Sequence, residues 1–367
     1  MGRSALAPFS KGVIRAGWTS LSQSDKLASI VQPAPIVFGS GLDLYLGAGI
    51  LVPNRPVKPA TTVKEQIGIL RSRNMTVSDE TATQWLQNVS YYRLSAYWYP
   101  ARLPLNNGTR SDIFADGTSF EDVVNLYEAD RKLRTLVHDG MERVEIAMRT
   151  RISEVICEID PLAYTDELNF RPSFKHSEWV STATRRIKRA SRTNDSIRHY
   201  QREYGGQYPF WVLAEVLDFS DISKIFQGLS TAKQRRISED LGIFIELSNL
   251  SKNQQQKIKK KSPLAAWLEQ LTIVRNTCAH HGRLWNNSFI PVPTAALRTQ
   301  ENFALLPEGQ SEKLFGALLL MAHIVRRTSP GTSWPEKVKR LIAEDFLTNP
   351  LVTPSALGIP SVWEDGS

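Results

Sequence analysis

The chain of 367 residues contains only two cysteines, Cys157 and Cys278. Two thiols cannot build a disulfide framework or a thiolate metal cluster, and they fit a reducing compartment. Long apolar runs are also missing. The most apolar stretch, Pro33–Pro53, holds Asp43, is broken by glycines and serines and has proline at both ends. A spanning helix needs about 20 predominantly apolar residues without such breaks. A signal peptide would lie nearer the N-terminus and end in a small-residue cleavage site. A cytoplasmic protein with no membrane partner is therefore expected. Walker A, G-x-G-x-x-G, H-E-x-x-H, C-x-x-C and G-x-S-x-G motifs are all absent, and no cofactor or metal is expected.

What the chain does have is an ordinary globular composition. Hydrophobic residues make up 41% and charged residues 22%, which excludes a wholly disordered chain, collagen and a multi-span membrane protein. Its 45 Lys+Arg against 37 Asp+Glu give a net charge of +8. Such a surplus favours polyanions, either nucleic acid or an anionic membrane. The densest basic stretch is RRIKRASR, with Arg185, Arg186, Lys188, Arg189 and Arg192. It reads either as a solvated helix face or as a phosphate-contacting patch.

Three regions are expected. Residues 1–57 hold only two acids, Asp25 and Asp43, and no persistent period. They read as a low-order extension, of the kind an upstream start codon adds, with a targeting or regulatory arm as the other reading. Residues 58–350 are helical in pattern, and 351–367 form a tail. Val63, Ile67 and Leu70 follow helical spacing, and Ser78 can cap a second helix carrying Ala82, Trp85 and Leu86. An aromatic segment, Tyr91–Pro100, and a turn at Asn106–Gly108 come next. Thr118-x-x-Glu121 reads as a capping box opening an apolar-periodic run that Gly140 divides in two and Asp160-Pro161 stops. Tyr208–Leu229 reads as buried helix around Phe210, Trp211 and Leu213, and the KIKKK cluster at Lys257–Lys261 as a loop. Pro263 starts another helix, for which Gly282 is the natural stop. Ser333-x-x-Glu336 is a further capping box. With no hairpin signal, alternating run or repeat, the fold class is all-α.

One constellation can carry chemistry. In VRNTCAHHGRLWN, Val274–Asn286, residues Asn276 and His280 are four apart and share a helix face. Arg275 can reach the same rim. Arginine can hold a phosphate and neutralise developing charge, and histidine can move a proton to or from a hydroxyl near neutral pH. The three fixed letters fit an ordinary set of residues equally well: an ion-paired arginine, a capping asparagine and a histidine at a helix C-terminus. His138, His176, His199 and His323 stand alone and read as structural or surface residues.

The same stretch resembles the signature of the Abi-like proteins, the abortive-infection family of bacterial phage resistance, in which R-N-x-x-x-H followed by H-x-R-L-W-N marks a HEPN domain. Other segments resemble that family in the expected order. They are residues 63–100 with YYRLSAYWYP, then YEADRKLRTLV (Tyr127–Val137) and MERVEIAMRTRI (Met141–Ile152). YPFWVLAEVLDFSD resembles P-x-W-x-x-x-E-x-L-x-F-G, with Ser220-Asp221 where glycine is usual, and LGIPSVWED resembles a closing G-F-P-x-x-W with Ile359 for phenylalanine. The resemblance spans about residues 60–365.

It implies a HEPN-type helical bundle with additional N-terminal helices. It also implies a metal-independent endoribonuclease leaving a 2′,3′-cyclic phosphate or 3′-phosphate and a 5′-hydroxyl. HEPN sites are usually composite, so one motif per chain implies a homodimer. Arg275 would stabilise the scissile phosphate, His280 would be general base or acid, and Asn276 would orient the motif. His281 and Arg283 are secondary candidates, the first structural, the second a phosphate contact. RNA is the implied substrate. The family's likeness to the nuclease halves of RNA-guided type VI CRISPR effectors extends this to a bound small RNA at the basic Arg171–Arg202 stretch. The alternatives are a non-catalytic RNA-binding module and a toxin neutralised by an antitoxin protein or RNA.

Overall fold

The computed structural model describes residues 57–363. The extension expected at 1–57 therefore lies outside the described residues except for its last position. The described chain is all-α, with two small two-stranded sheets at its margins.

The spine is one helix, Phe120–Cys157, of 38 residues, about 57 Å long at 1.5 Å per residue. Ser119 caps it by accepting the Asp122 N–H at 3.1 Å, and Glu121 and Asp122 place negative charge in its first turn. The cap is thus one residue later than the Thr118 box suggests; the Thr118 hydroxyl instead donates to the Ala115 carbonyl at 2.7 Å. Buried residues recur every three or four positions, from Val123 through Leu133, Val137, Met141, Val144 and Met148 to Ile152. Gly140 does not divide the helix. A Cβ at Gly140 would stand 2.6 Å from the Trp334 ring, so glycine is there to admit an indole, whose Nε1 donates to the Leu136 carbonyl at 2.7 Å.

Before the spine, Val63–Ser72, Asp79–Asn88 and Tyr91–Trp98 form the N-terminal helices. Between them and the spine lies a hairpin, Arg102–Pro104 against Arg110–Phe114, pairing Arg102 with Phe114. No hairpin was expected from the sequence; the residues read there only as a turn join its strands, with Gly108 at φ +78 and the Leu105 N–H donating to the Thr109 carbonyl at 2.8 Å. After the spine come the basic helix His176–Ala190, then Asp195–Glu203. Tyr208–Leu229 is two helices, Phe210–Ala214 and Phe219–Gly228. The KIKKK cluster lies largely on a helix, Lys252–Lys260, because Ser251 and Gln254 make a reciprocal capping box. Ser333 makes no side-chain cap to the helix Trp334–Leu341, which runs on into a π-helical turn, Ile342–Phe346.

The helix Leu264–Ala279 lies inside the bundle, against Phe219–Gly228, the spine and Leu314–Thr328. Leu264, Ala265, Trp267, Leu268, Leu271, Val274 and Cys278 are all buried. The Gln270 side chain donates to the carbonyls of Ile290, at 2.8 Å, and Ser311, at 2.9 Å. Apart from Glu269, the exposed positions of this helix lie at its C-terminal end, at Asn276, Ala279 and the capping His280.

Candidate active site

Helix Leu264–Ala279 closes with a Schellman turn. The Gly282 N–H donates to the Thr277 carbonyl at 2.7 Å and the His281 N–H to that of Cys278 at 2.9 Å. The left-handed position is His281, with φ +55, and not Gly282. Left-handed backbone costs an L-residue about 1–2 kcal/mol, so surrounding contacts must hold it there. Gly282 is small for a different reason: a Cβ would meet the Thr277 methyl at 2.8 Å.

Those contacts come from three distant segments. Asp130, fully buried on the spine, accepts the N–H groups of Leu284 (3.1 Å) and Trp285 (2.8 Å). Its second oxygen accepts the Tyr97 hydroxyl at 2.7 Å and the Arg134 guanidinium one helical turn away. Arg134 also reaches toward the Gly282 carbonyl at 3.5 Å. Complete burial pushes the Asp130 carboxyl up, and Arg134, Tyr97 and the two backbone donors oppose it. Arg93, on the Tyr91–Trp98 helix, donates to the His281 carbonyl. Arg283 turns inward, donating to the Ala96 carbonyl and lying 5.7 Å from the Trp285 ring centre; burial pushes its guanidinium down. Trp285 stacks parallel to Tyr97 at 6.3 Å. The segments YYRLSAYWYP, YEADRKLRTLV and HHGRLWN therefore meet at one turn. Sequence reasoning found all three segments but assigned no role to Arg93, Tyr97, Asp130 or Arg134. The i,i+4 spacing of Asp130 and Arg134 was the available signal.

The outer side of the turn is different. Asn276, His280 and His281 are exposed and Arg275 is half-buried. The Arg275 guanidinium donates to the Asn276 side-chain oxygen at 3.4 Å, which ties the first two motif residues together. Arg275 also lies within electrostatic reach of Glu145 on the spine, whose carboxyl burial pushes up and whose near partners are Arg149, Arg275 and Asp218. Glu145 accepts from Arg149 at 2.6 Å, and Arg149 donates further to the Leu217 carbonyl at 2.8 Å.

The basic helix is connected through Asp218. Arg186 bonds Asp218 and, at 2.9 Å, Asp221; Arg189 reaches Asp218 at 3.3 Å. Arg186 thus anchors the helix to Phe219–Gly228. Arg185, Lys188 and Arg192 remain exposed, with Arg185 bonded only to hydroxyls of its own helix, at Ser181 and Thr182. Glu145 feels the charges of both Arg275 and Asp218, and Asp218 pairs with Arg186 and Arg189, placing motif and basic helix in one electrostatic neighbourhood. Beyond Arg149, a cleft of about 320 Å³ opens between the end of the spine and the Phe210–Ala214 helix. Among the described residues no group of three or more His, Cys, Asp or Glu is placed to hold a metal ion, and no helix is long and apolar enough to cross a membrane.

A protein-family model described as Abi-like protein matches residues 84–286, more than half of the chain. The matched span takes in the Tyr91–Trp98 helix, the spine, the basic helix and the whole Arg275–Asn286 motif. It is narrower than the 60–365 resemblance read in the sequence, leaving out the first helix, everything after the motif and the tail. No match was found among curated proteins or among solved structures.

Proposed function

Because the chain belongs to the Abi-like protein family, which points to a role in phage resistance, we propose that it acts as an endoribonuclease of the HEPN kind. Arg275, Asn276 and His280 are its reacting face. The observation that supports this most is the contrast within helix Leu264–Ala279, which apart from Glu269 packs into the bundle and brings out an arginine, an asparagine and a histidine together at one end.

Arg275 holds the scissile phosphate and neutralises the charge that develops on it. Asn276, bonded to Arg275, keeps the guanidinium on the rim. His280 takes the proton of the ribose 2′-hydroxyl as that oxygen attacks the adjacent phosphorus, or returns a proton to the departing 5′-oxygen. The products carry a 2′,3′-cyclic phosphate and a 5′-hydroxyl. In an in-line displacement the attacking 2′-oxygen and the departing 5′-oxygen lie on opposite sides of the phosphorus, so one imidazole does not reach both, and the working unit takes two copies of the chain, each giving one motif. His281 supplies backbone geometry and Arg283 an inward anchor. Arg185, Lys188 and Arg192 attract the RNA backbone, including that of a bound small RNA.

The test is cleavage of total bacterial RNA by the full chain in EDTA, with product ends mapped. Fragments bearing 2′,3′-cyclic phosphate and 5′-hydroxyl ends support the proposal. Salt-sensitive RNA binding without cleavage identifies a binding module instead, and cleavage that EDTA abolishes contradicts the mechanism.

A further inference from the structure

Trp211 stands apart from the other described tryptophans. Trp98, Trp267, Trp285 and Trp334 are fully buried, whereas Trp211 keeps 46% of its surface open. It is not on a loose segment. Its neighbours Phe210, Val212, Leu213 and Ala214 are all buried, and the Phe210 N–H donates to the Pro161 carbonyl at 2.9 Å, just past the end of the spine. The helix is fixed on its other sides and presents this one indole to solvent.

The indole lines the 320 Å³ cleft together with Glu215, four residues on and thus on the same face, and with Arg149, Thr150 and Ser153 of the spine. That volume lies at the small end of ligand sites and suits one nucleobase. Two groups in the cleft lack partners. The buried Arg149 Nε has no hydrogen-bond acceptor, a state that calls for an explanation in a native structure. Glu154 is ion-paired to Arg151 at 3.0 Å, but the exposed Glu215 has no such partner among the described residues. The core of a protein–protein interface is depleted of charge; a base pocket combines an aromatic face with a few polar groups reading the base edge.

We infer that Trp211 and Glu215 form a subsite for an unpaired guanine in the RNA whose phosphate Arg275 holds. This deepens the proposed ribonuclease reading and rests on it. The indole stacks on the base. The Glu215 carboxylate, which can only accept, faces the guanine N1–H and N2–H, two neighbouring donors that match its two oxygens. Adenine and cytosine each set an acceptor beside a single donor, and uracil flanks its one donor with two acceptors, so each would meet the carboxylate with repulsion. Arg149 lies one helical turn, about 6 Å, from Glu145, which in turn faces Arg275. The Arg149 guanidinium holds Glu145 at 2.6 Å and so joins the cleft wall to the motif side of the spine.

The test uses uncleavable probes, so that binding is read apart from cutting: 2′-O-methyl uridine pentamers carrying guanine, adenine or cytosine at the centre, titrated at fixed salt against the full chain. The guanine probe is expected to bind about tenfold tighter than the others. Glu215→Gln removes that preference while retaining binding. Trp211→Ala weakens all three probes about tenfold, and Trp211→Phe restores much of the loss. Equal affinity for all three probes, or no change on Trp211→Ala, overturns the inference. So does a Trp211→Ala protein that binds normally but changes oligomeric state, since the indole would then belong to a protein interface. An enzyme that cuts RNA without guanine preference overturns this inference and leaves the proposed function standing. A guanine preference in a chain that cuts no RNA supports the subsite and contradicts the nuclease.

Discussion

The segment His280–Trp285 has two sides of opposite character. Facing in, the N–H groups of Leu284 and Trp285 meet a carboxylate with no solvent exposure, itself held by Arg134 and Tyr97. Facing out, Asn276, His280 and His281 meet water. The chemistry asked of each side explains the difference. A turn that holds a histidine at positive φ needs satisfied, dry hydrogen bonds around it, and Asp130 supplies them because ionised acceptors make the stronger bonds. Under the proposed ribonuclease reading, a group that moves protons to an RNA must be reachable by that RNA. Positioning and reactivity are thus divided between residues that no single sequence motif contains.

The largest way to break this division is Asp130→Ala. It leaves Arg134 buried without its partner and two backbone donors unpaired, and should cost about 3–5 kcal/mol, read by chemical denaturation, with any RNA cleavage lost alongside the fold. Gly140→Ala attacks the spine on a different face. The added methyl meets Trp334 at 2.6 Å, so a loss of about 1–3 kcal/mol is expected, with the cleavage of the remaining folded protein unchanged because the turn is untouched. His281→Gly should relieve the left-handed strain and raise stability by up to about 1 kcal/mol, the relief being offset in part by glycine's greater entropy when unfolded.

The outer side gives the smallest stability effects and the sharpest contrast. Arg275→Ala should change unfolding free energy by less than about 1 kcal/mol while cleavage disappears. Cys278, directly behind the motif, has its thiol pushed up to about 12, chiefly by burial. It should stay unmodified by a thiol-alkylating reagent at pH 8 until the protein unfolds, as read by peptide mass spectrometry. Labelling in the native state would mean that the inner side opens.

The helices were legible where packing repeats at three and four residues, as at Val63–Leu70 and along the spine. Legibility failed where tertiary contacts decide. Gly140 carries the sequence mark of a helix break, and only the indole of Trp334, far along the chain, shows why it is not one. Lys252–Lys260 has no apolar period to betray a helix, and its Ser251–Gln254 capping box does that work alone. Trp211 reads as core because tryptophan usually is, and its exposure depends on neighbours that take the buried positions. At the site, the i,i+4 relation of Asn276 and His280 was readable, and so was the polar end of an apolar helix. The inward course of Arg283 and the pairing of Arg186 with Asp218 and Asp221 were not, since both follow from segments brought together only by the fold.

The separation of the two sides is tested most directly by measuring His280→Ala beside the wild type for two quantities, RNA cleavage in EDTA and the denaturation midpoint. Cleavage lost with the midpoint unchanged is the predicted result. A lowered midpoint with cleavage retained by the folded fraction would contradict it, and would make His280 part of the turn's scaffold.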